Sequence, residues 1–168
     1  MASERITFGE WLPDQSGLAG ALTEAKNVIP VGSGYAPLPS TVELSDAADA
    51  NLLTVFSGKI NNLTTMFAAS ATKIYKFDTG DLDLDNVSKT GNYTTTTNWK
   101  FIQFGSLVIA ANGQNKLQSF TLNSSSLFAD LNASAPVAKY LTAVRDFVVS
   151  GNISSYPNRV AWSDINDP

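Results

Sequence analysis

The chain has 168 residues, 43% of them hydrophobic and only 15% charged, with a formal net charge of −4; that is one domain's worth, or an arm plus one domain. Its polarity is neutral: 18 Ser, 15 Thr and 14 Asn stand beside 9 Phe, 5 Tyr and 3 Trp, the profile of an all-β chain rich in turns. With no His and no Cys there is no Ser-His-Asp triad, thiolate nucleophile, disulfide or His- or Cys-ligated zinc; no apolar run approaches a membrane span, and the acidic balance argues against a surface that coats nucleic acid.

Met1-Ala2-Ser3-Glu4-Arg5 leads into no apolar segment, so no secretory leader is expected. Residues 1–43 hold four of the seven prolines (Pro13, Pro30, Pro37, Pro39) and five of the eleven glycines. Proline donates nothing to a ladder and glycine raises the ordering cost. Apolar groups are nonetheless present, among them Phe8, Trp11, Val28, Ile29 and Tyr35. The expectation is an extended N-terminal arm, with at most a short helix between Asp14 and Lys26 that Gly17 and Gly20 weaken. Such an arm lies over its own domain or docks on a neighbouring subunit.

Residues 44–168 follow as the β-rich part, and from residue 50 onward the chain becomes periodic. Leu52-Leu53-Thr54-Val55-Phe56 is followed by Met66-Phe67-Ala68-Ala69-Ser70 and then by Lys73-Ile74-Tyr75-Lys76-Phe77. Trp99-Lys100-Phe101-Ile102-Gln103-Phe104 is followed by Leu107-Val108-Ile109-Ala110-Ala111-Asn112 and Lys116-Leu117-Gln118-Ser119-Phe120. Lys139-Tyr140-Leu141-Thr142-Ala143-Val144 is followed by Phe147-Val148-Val149-Ser150-Gly151-Asn152 and Arg159-Val160-Ala161-Trp162-Ser163. Each unit is a strand, a turn, an apolar strand ending in small residues, a polar turn, and a basic residue leading an alternating strand. Ala69 and Ala111 are 42 residues apart, and Ala111 and Gly151 are 40 apart. Short strands bounded by Gly, Asn and Asp at this spacing predict antiparallel sheet. A several-stranded repeat of about 40–50 residues matches a β-propeller blade. The alternative is an ordinary β-sandwich. Residues 44–168 hold about three blades, fewer than the four or so a closed ring needs. The series stops at Ile165-Asn166-Asp167-Pro168, so the expectation is the front part of a longer chain, or edges covered by other chains.

The densest charge cluster is Asp78, Asp81, Asp83 and Asp85. Carboxylates at alternate positions can converge on calcium, but the Gly and the distal Glu of a hand-type loop are missing. The plainer reading is a strand with Asp toward solvent and Leu82 and Leu84 inward. Six Asn-x-Ser/Thr triplets, at Asn62, Asn86, Asn92, Asn123, Asn132 and Asn152, follow from composition. Trp11, Trp99 and Trp162, with Tyr93 and Tyr156, could stack on sugars; Trp99 and Trp162 are read as core, and the polar loop around Tyr93 as a contact surface. Gly32-Ser33-Gly34 lacks the Lys and the spacing of a phosphate loop. Glu10, Glu24 and Glu43 show no pairing for acid–base work. No catalytic, cofactor-binding or metal-ligating residue is therefore assigned, no cofactor is expected, and the chain is read as no enzyme.

Several segments resemble virion proteins of tailed bacteriophages: Phe8-Gly9-Glu10-Trp11-Leu12-Pro13-Asp14, Ala25-Lys26-Asn27-Val28-Ile29-Pro30, Ile74-Tyr75-Lys76-Phe77-Asp78, Ala135-Pro136-Val137-Ala138-Lys139, Arg145-Asp146-Phe147-Val148-Val149 and Arg159-Val160-Ala161-Trp162-Ser163-Asp164. The group resembled is the β-propeller tail proteins, of nozzle, hub or packaged-DNA-stabilisation type, of short-tailed phages and their relatives. Its members are considerably longer. The resemblance implies an all-β partial propeller after the arm. It implies a structural virion protein of the phage tail, made in the host cytoplasm, that acts in tail assembly, DNA retention and DNA passage during ejection. Its expected partners are copies of itself in a ring, six-fold by the resemblance, and other tail or head–tail connector proteins. Genomic DNA is only passing cargo, and no membrane is involved. The alternative function is a glycan- or receptor-binding module of a phage tail.

Overall fold

The computed structural model describes residues 9–12, 22, 24–32 and 34–168. Among them the fold is all-β, with no helix. The chain divides into two units, Met1–Glu43 and Leu44–Pro168.

In the first unit, β1 (Val28–Val31) and β2 (Gly34–Pro37) pair as an antiparallel hairpin. Gly32 takes a positive φ of 50° at its turn, where a side chain would be strained. A two-stranded ribbon tolerates Pro30 because both strands are edges. The Tyr35 hydroxyl donates to the Gly9 carbonyl at 3.2 Å, and Leu22 bonds through its backbone to Glu10 and Leu12. The short helix considered between Asp14 and Lys26 falls mostly outside the described residues.

The second unit is three antiparallel meanders. The first contains β3 (Leu52–Ile60), β4 (Leu63–Ser70), β5 (Ile74–Phe77) and β6 (Leu84–Asn86), in chain order. The second contains β7 (Lys100–Phe104), β8 (Leu107–Ala111), β9 (Gln118–Thr121) and β10 (Ala129–Asp130). The third contains β11 (Ala138–Val144), β12 (Phe147–Ile153) and β13 (Tyr156–Trp162). Each opens with a two-residue hairpin whose first turn residue has positive φ: Asn61 at 47°, Gly105 at 58° and Arg145 at 53°. Positive φ there matches the twist of the flanking strands, which is why Asn and Gly serve well.

The registers make the three sheets equivalent residue by residue. Ala68 faces Val55 and Tyr75 across its ladders. Ala110 faces Phe101 and Gln118. Ser150 faces Leu141 and Ala161. Those are the same columns of the sequence repeat. Ala69, Ala111 and Gly151 likewise occupy one position, next along the second strand. The residue after it turns the chain: Ser70 Oγ accepts the Lys73 amide at 3.2 Å, and Asn112 Oδ1 accepts the Gln114 and Asn115 amides at 3.0 and 2.8 Å. In the third sheet Asn152, with φ of 55°, sits at a register shift between Gly151 and Ile153.

Side chains alternate across a strand, so each sheet has two faces. In the middle sheet both are buried, as the unbroken apolar run of β8 requires. Val108 and Ala110 pack with Phe120 against Phe67, Ala69 and Ile74 of the first sheet. Ile109, Ala111 and Leu117 pack against Ala138 and Val148 of the third, with Leu141 alongside. The same rule holds at both junctions. The face carrying the Ala69 column, the leading face, meets the next sheet's Ala68 column, the trailing face.

Polar contacts fix these junctions. The Trp99 indole donates to the Ser70 carbonyl at 2.7 Å, and Gln103 brackets Lys59, accepting its amide at 2.8 Å and donating to its carbonyl at 2.7 Å. Phe56 stacks on Phe101 at 5.6 Å. The links between sheets return over the preceding sheet's second turn. Tyr93 and Thr96 donate backbone N–H groups to Thr72 and Ala71, while Gly113 and Leu117 donate to Ala138 and Pro136. The first strands are also neighbours: β3 meets β7, and β7 meets β11.

Candidate functional site

Among the described residues of the second unit, the stacking rule leaves two faces, on the first and third sheets, without another sheet of that unit against them. One is the trailing face of the first sheet. Its apolar groove is lined by Leu44, Leu52, Val55, Met66, Ala68 and Phe77. Val55 is 76% exposed there, whereas the equivalent Phe101 is partly buried against the core between the first two sheets. The Tyr75 hydroxyl donates to Asp49, and Lys73 pairs with the same carboxylate.

The other is the leading face of the third sheet, where Tyr140, Thr142, Val149, Gly151, Val160 and Trp162 line up by register. Trp162 is 71% exposed and Val160 57%. In the other sheets the residue in the Val160 column is Ile74 or Leu117, and both are buried. Trp162, read from its alternating strand as core, is therefore a surface residue. Its strand has the pattern of a covered strand, but no other sheet of the second unit packs on that face among the described residues.

The aspartate run forms a turn rather than a strand up to Asp83, and Leu84 and Asp85 enter β6. Leu82 has φ of 64° and is exposed, against the expectation that it points inward. Asp78 Oδ1 accepts the Gly80 amide at 2.7 Å, Asp81 Oδ1 the Asp83 amide at 3.2 Å, and Asp83 Oδ1 the Leu84 amide at 2.7 Å. These carboxylates brace the turn through local amide bonds, and Asp85 pairs with Lys76 at 3.7 Å. Among the described residues no group of three or more acidic, His or Cys side chains is placed to hold a metal ion.

Tyr93 is buried, which corrects its reading as part of a contact surface. Its ring meets Trp99 edge-on at 4.9 Å, and its oxygen accepts the Lys89 amide at 3.2 Å. Burial pushes its hydroxyl well above the ordinary tyrosine range. Trp99 is core, as read. Tyr156 is exposed, with the Arg159 guanidinium 4.0 Å from its ring centroid. Glu10, Glu24 and Glu43 stay on the exposed surface of the first unit.

One polar cluster was not legible from spacing. Buried Gln118 donates to Asp130 at 2.7 Å and to the Lys116 carbonyl at 2.8 Å, and Lys89 donates to Asp130 at 2.9 Å. The Gln118 and Lys89 hydrogen bonds hold the Asp130 carboxyl below the usual carboxylate range. The cluster ties β9 to β10 and to the link after β6. Gln118 occupies the column of Tyr75, so the repeat alignment was its only signal.

No helix among the described residues is long and apolar enough to cross a membrane. No protein-family model matches the chain, and no curated protein matches it.

Proposed function

We propose that this chain is a structural virion protein of a bacteriophage tail, an arc of propeller blades that acts through assembly around a DNA conduit. The observation that carries the reading is the repeated junction. Three meanders of equivalent register stack with the same face always toward the next, and their first strands are neighbours. A propeller requires that arrangement, with first strands innermost and the last strand at the rim. A sandwich instead closes two inner faces on one core, whereas the middle sheet here is buried on both sides. The resemblance of the sequence to phage tail propellers supplies the role.

The chemistry of a conduit fits the composition. Passing DNA should not be gripped, and a chain of net charge −4 offers repulsion in place of counterion-releasing contacts. Abundant neutral polar groups and two uncovered apolar faces suit life inside a protein assembly.

Electron microscopy of purified virions, labelled with antibody against this chain, tests the proposal. Label at the tail or the head–tail junction supports it; label absent from both rejects it. A glycan array tests the receptor-binding alternative, because saturable sugar binding that Tyr156→Ala removes would favour that reading.

A further inference from the structure

We infer that Asn112-Gly113 is a deamidation site that the packing of the third sheet on the second holds closed, and that parting of this junction opens it. The pair follows β8 at the second turn of the middle sheet, and no other asparagine of the chain precedes a glycine. Glycine has no Cβ, so its backbone nitrogen meets the least hindrance in attacking the preceding side chain. In the reaction the Gly113 nitrogen loses its proton and bonds to the Asn112 side-chain carbonyl carbon, and Nδ2 leaves as ammonia. Water then opens the cyclic imide at either carbonyl, giving aspartate or isoaspartate. One ammonia leaves, one water enters, and nothing is oxidised or reduced.

The fold engages every atom that takes part. The Gly113 N–H, which must become the nucleophile, donates to the Ala138 carbonyl at 2.9 Å, at the start of β11. The leaving Nδ2 donates to Asn115 Oδ1 at 3.1 Å, and Oδ1 accepts the Gln114 and Asn115 amides at 3.0 and 2.8 Å. The Asn112 carbonyl accepts the Thr96 hydroxyl at 2.8 Å. Asn112 is 4% exposed, which withholds the water that the second step consumes. The bonds to the Asn112 side chain lie within the turn, whereas the one on the nucleophile crosses to the third sheet. A Cβ built on Gly113 would lie 3.5 Å from Lys139 Cβ, so β11 rests directly on this turn.

The gate is therefore the junction itself, held by Ile109, Ala111 and Leu117 against Ala138 and Val148. Packed elements part locally at free energies below that of global unfolding, and each parting frees the Gly113 nitrogen and admits water. The products do not let the junction close as before. Aspartate keeps an acceptor for the two amides but sets a carboxylate against Asn115 Oδ1 where a donor stood, in a buried place. Isoaspartate adds a methylene to the main chain and takes the Gly113 N–H out of line with Ala138. Opening of the junction thereby becomes irreversible, and the pair works as a one-way covalent switch.

The inference rests on the junction between the second and third sheets and not on the virion role. Incubation of the purified full chain at neutral pH tests it, with aspartate and isoaspartate at 112 counted by peptide-mapping mass spectrometry. The same chain unfolded in guanidinium chloride is the reference. Folded wild type should convert at least a hundredfold more slowly than the unfolded chain. Val148→Ala, which loosens the gate, should convert about tenfold faster than folded wild type. Val108→Ala, a buried change at the junction between the first two sheets, should convert less than half as fast as Val148→Ala. Asn112→Asp, which makes one product directly, should lower the thermal midpoint. Wild type that converts as fast folded as unfolded overturns the inference. So does a Val148→Ala chain no faster than wild type, a Val108→Ala chain that matches it and so places the gate at global unfolding, or an unchanged midpoint for Asn112→Asp.

Discussion

Three valines occupy strands of equivalent sheets, and Val→Ala at each removes the same two carbons from different surroundings. Val108, on β8, is 0% exposed between the first two sheets, whereas Val55 and Val160 are 76% and 57% exposed on the end faces. Removing two buried methyl groups forfeits about 1.6 kcal/mol of transfer free energy at about 0.8 kcal/mol per carbon. The cavity adds to this, because Val108 packs against a neighbouring sheet that cannot fully collapse. Gly58 reports how close that neighbour is: a Cβ built there would lie 3.1 Å from Val108 Cγ2. The expected cost of Val108→Ala is about 2–3 kcal/mol, and at about 4 °C per kcal/mol for a cooperative unit of this length the midpoint should fall by roughly 8–12 °C. Val55→Ala and Val160→Ala should each cost less than about 0.7 kcal/mol, mostly strand preference. The assay is thermal unfolding followed by circular dichroism at about 2 µM, low enough to keep copies apart, with urea melts as a check. Equal shifts at all three positions, or a loss below about 1 kcal/mol at Val108, would refute the claim that the Val108 face is a packed sheet junction.

Trp99→Phe keeps an aromatic ring but removes the donor to the Ser70 carbonyl, and should cost about 1–3 kcal/mol; a neutral result in urea melts would show that the bond does not hold the first two sheets together. Asp78, Asp81 and Asp83 accept local amides through Oδ1, an oxygen that Asn retains, so the triple change to Asn should leave the midpoint within about 2 °C, whereas the triple change to Ala should lower it by several degrees. Asp130 is held below the ordinary carboxylate range, so its contribution is complete above the unfolded value of about 3.9 and fades as pH falls below that value. Because the pair with Lys89 is partly exposed, the effect should be no more than about 1 kcal/mol. Asp130→Asn should flatten the acid limb of the midpoint-against-pH curve, and an unchanged limb would contradict the assignment.

The strands that carry the repeat were legible because each is long enough to show a period, and because small residues recur in one column. The uninterrupted run Val108-Ile109-Ala110-Ala111 read as an apolar strand ending in small residues, and the structure buries it on both faces. β6 and β10 are three and two residues long, too short for any period, and they form because they close a ladder started by β5 and β9. Tyr93 misled because its Thr-rich neighbourhood is polar. Its burial comes from backbone bonds that draw residues 93–96 onto the turn after β4, a tertiary effect without local pattern. Trp162 misled in the opposite direction, since alternation shows which face a residue shares but not whether another sheet covers that face. The Gln118–Asp130–Lys89 cluster joins residues up to 41 apart, and no spacing rule would find it.

Density for this chain in its native assembly, by electron cryomicroscopy, tests the central claim most directly. The account predicts sheets arranged radially, with Ala69, Ala111 and Gly151 at one common radius and successive sheets related by one repeated rotation about the channel axis. Sheets with those three residues at unrelated radii, or rotations sharing no axis, would contradict it.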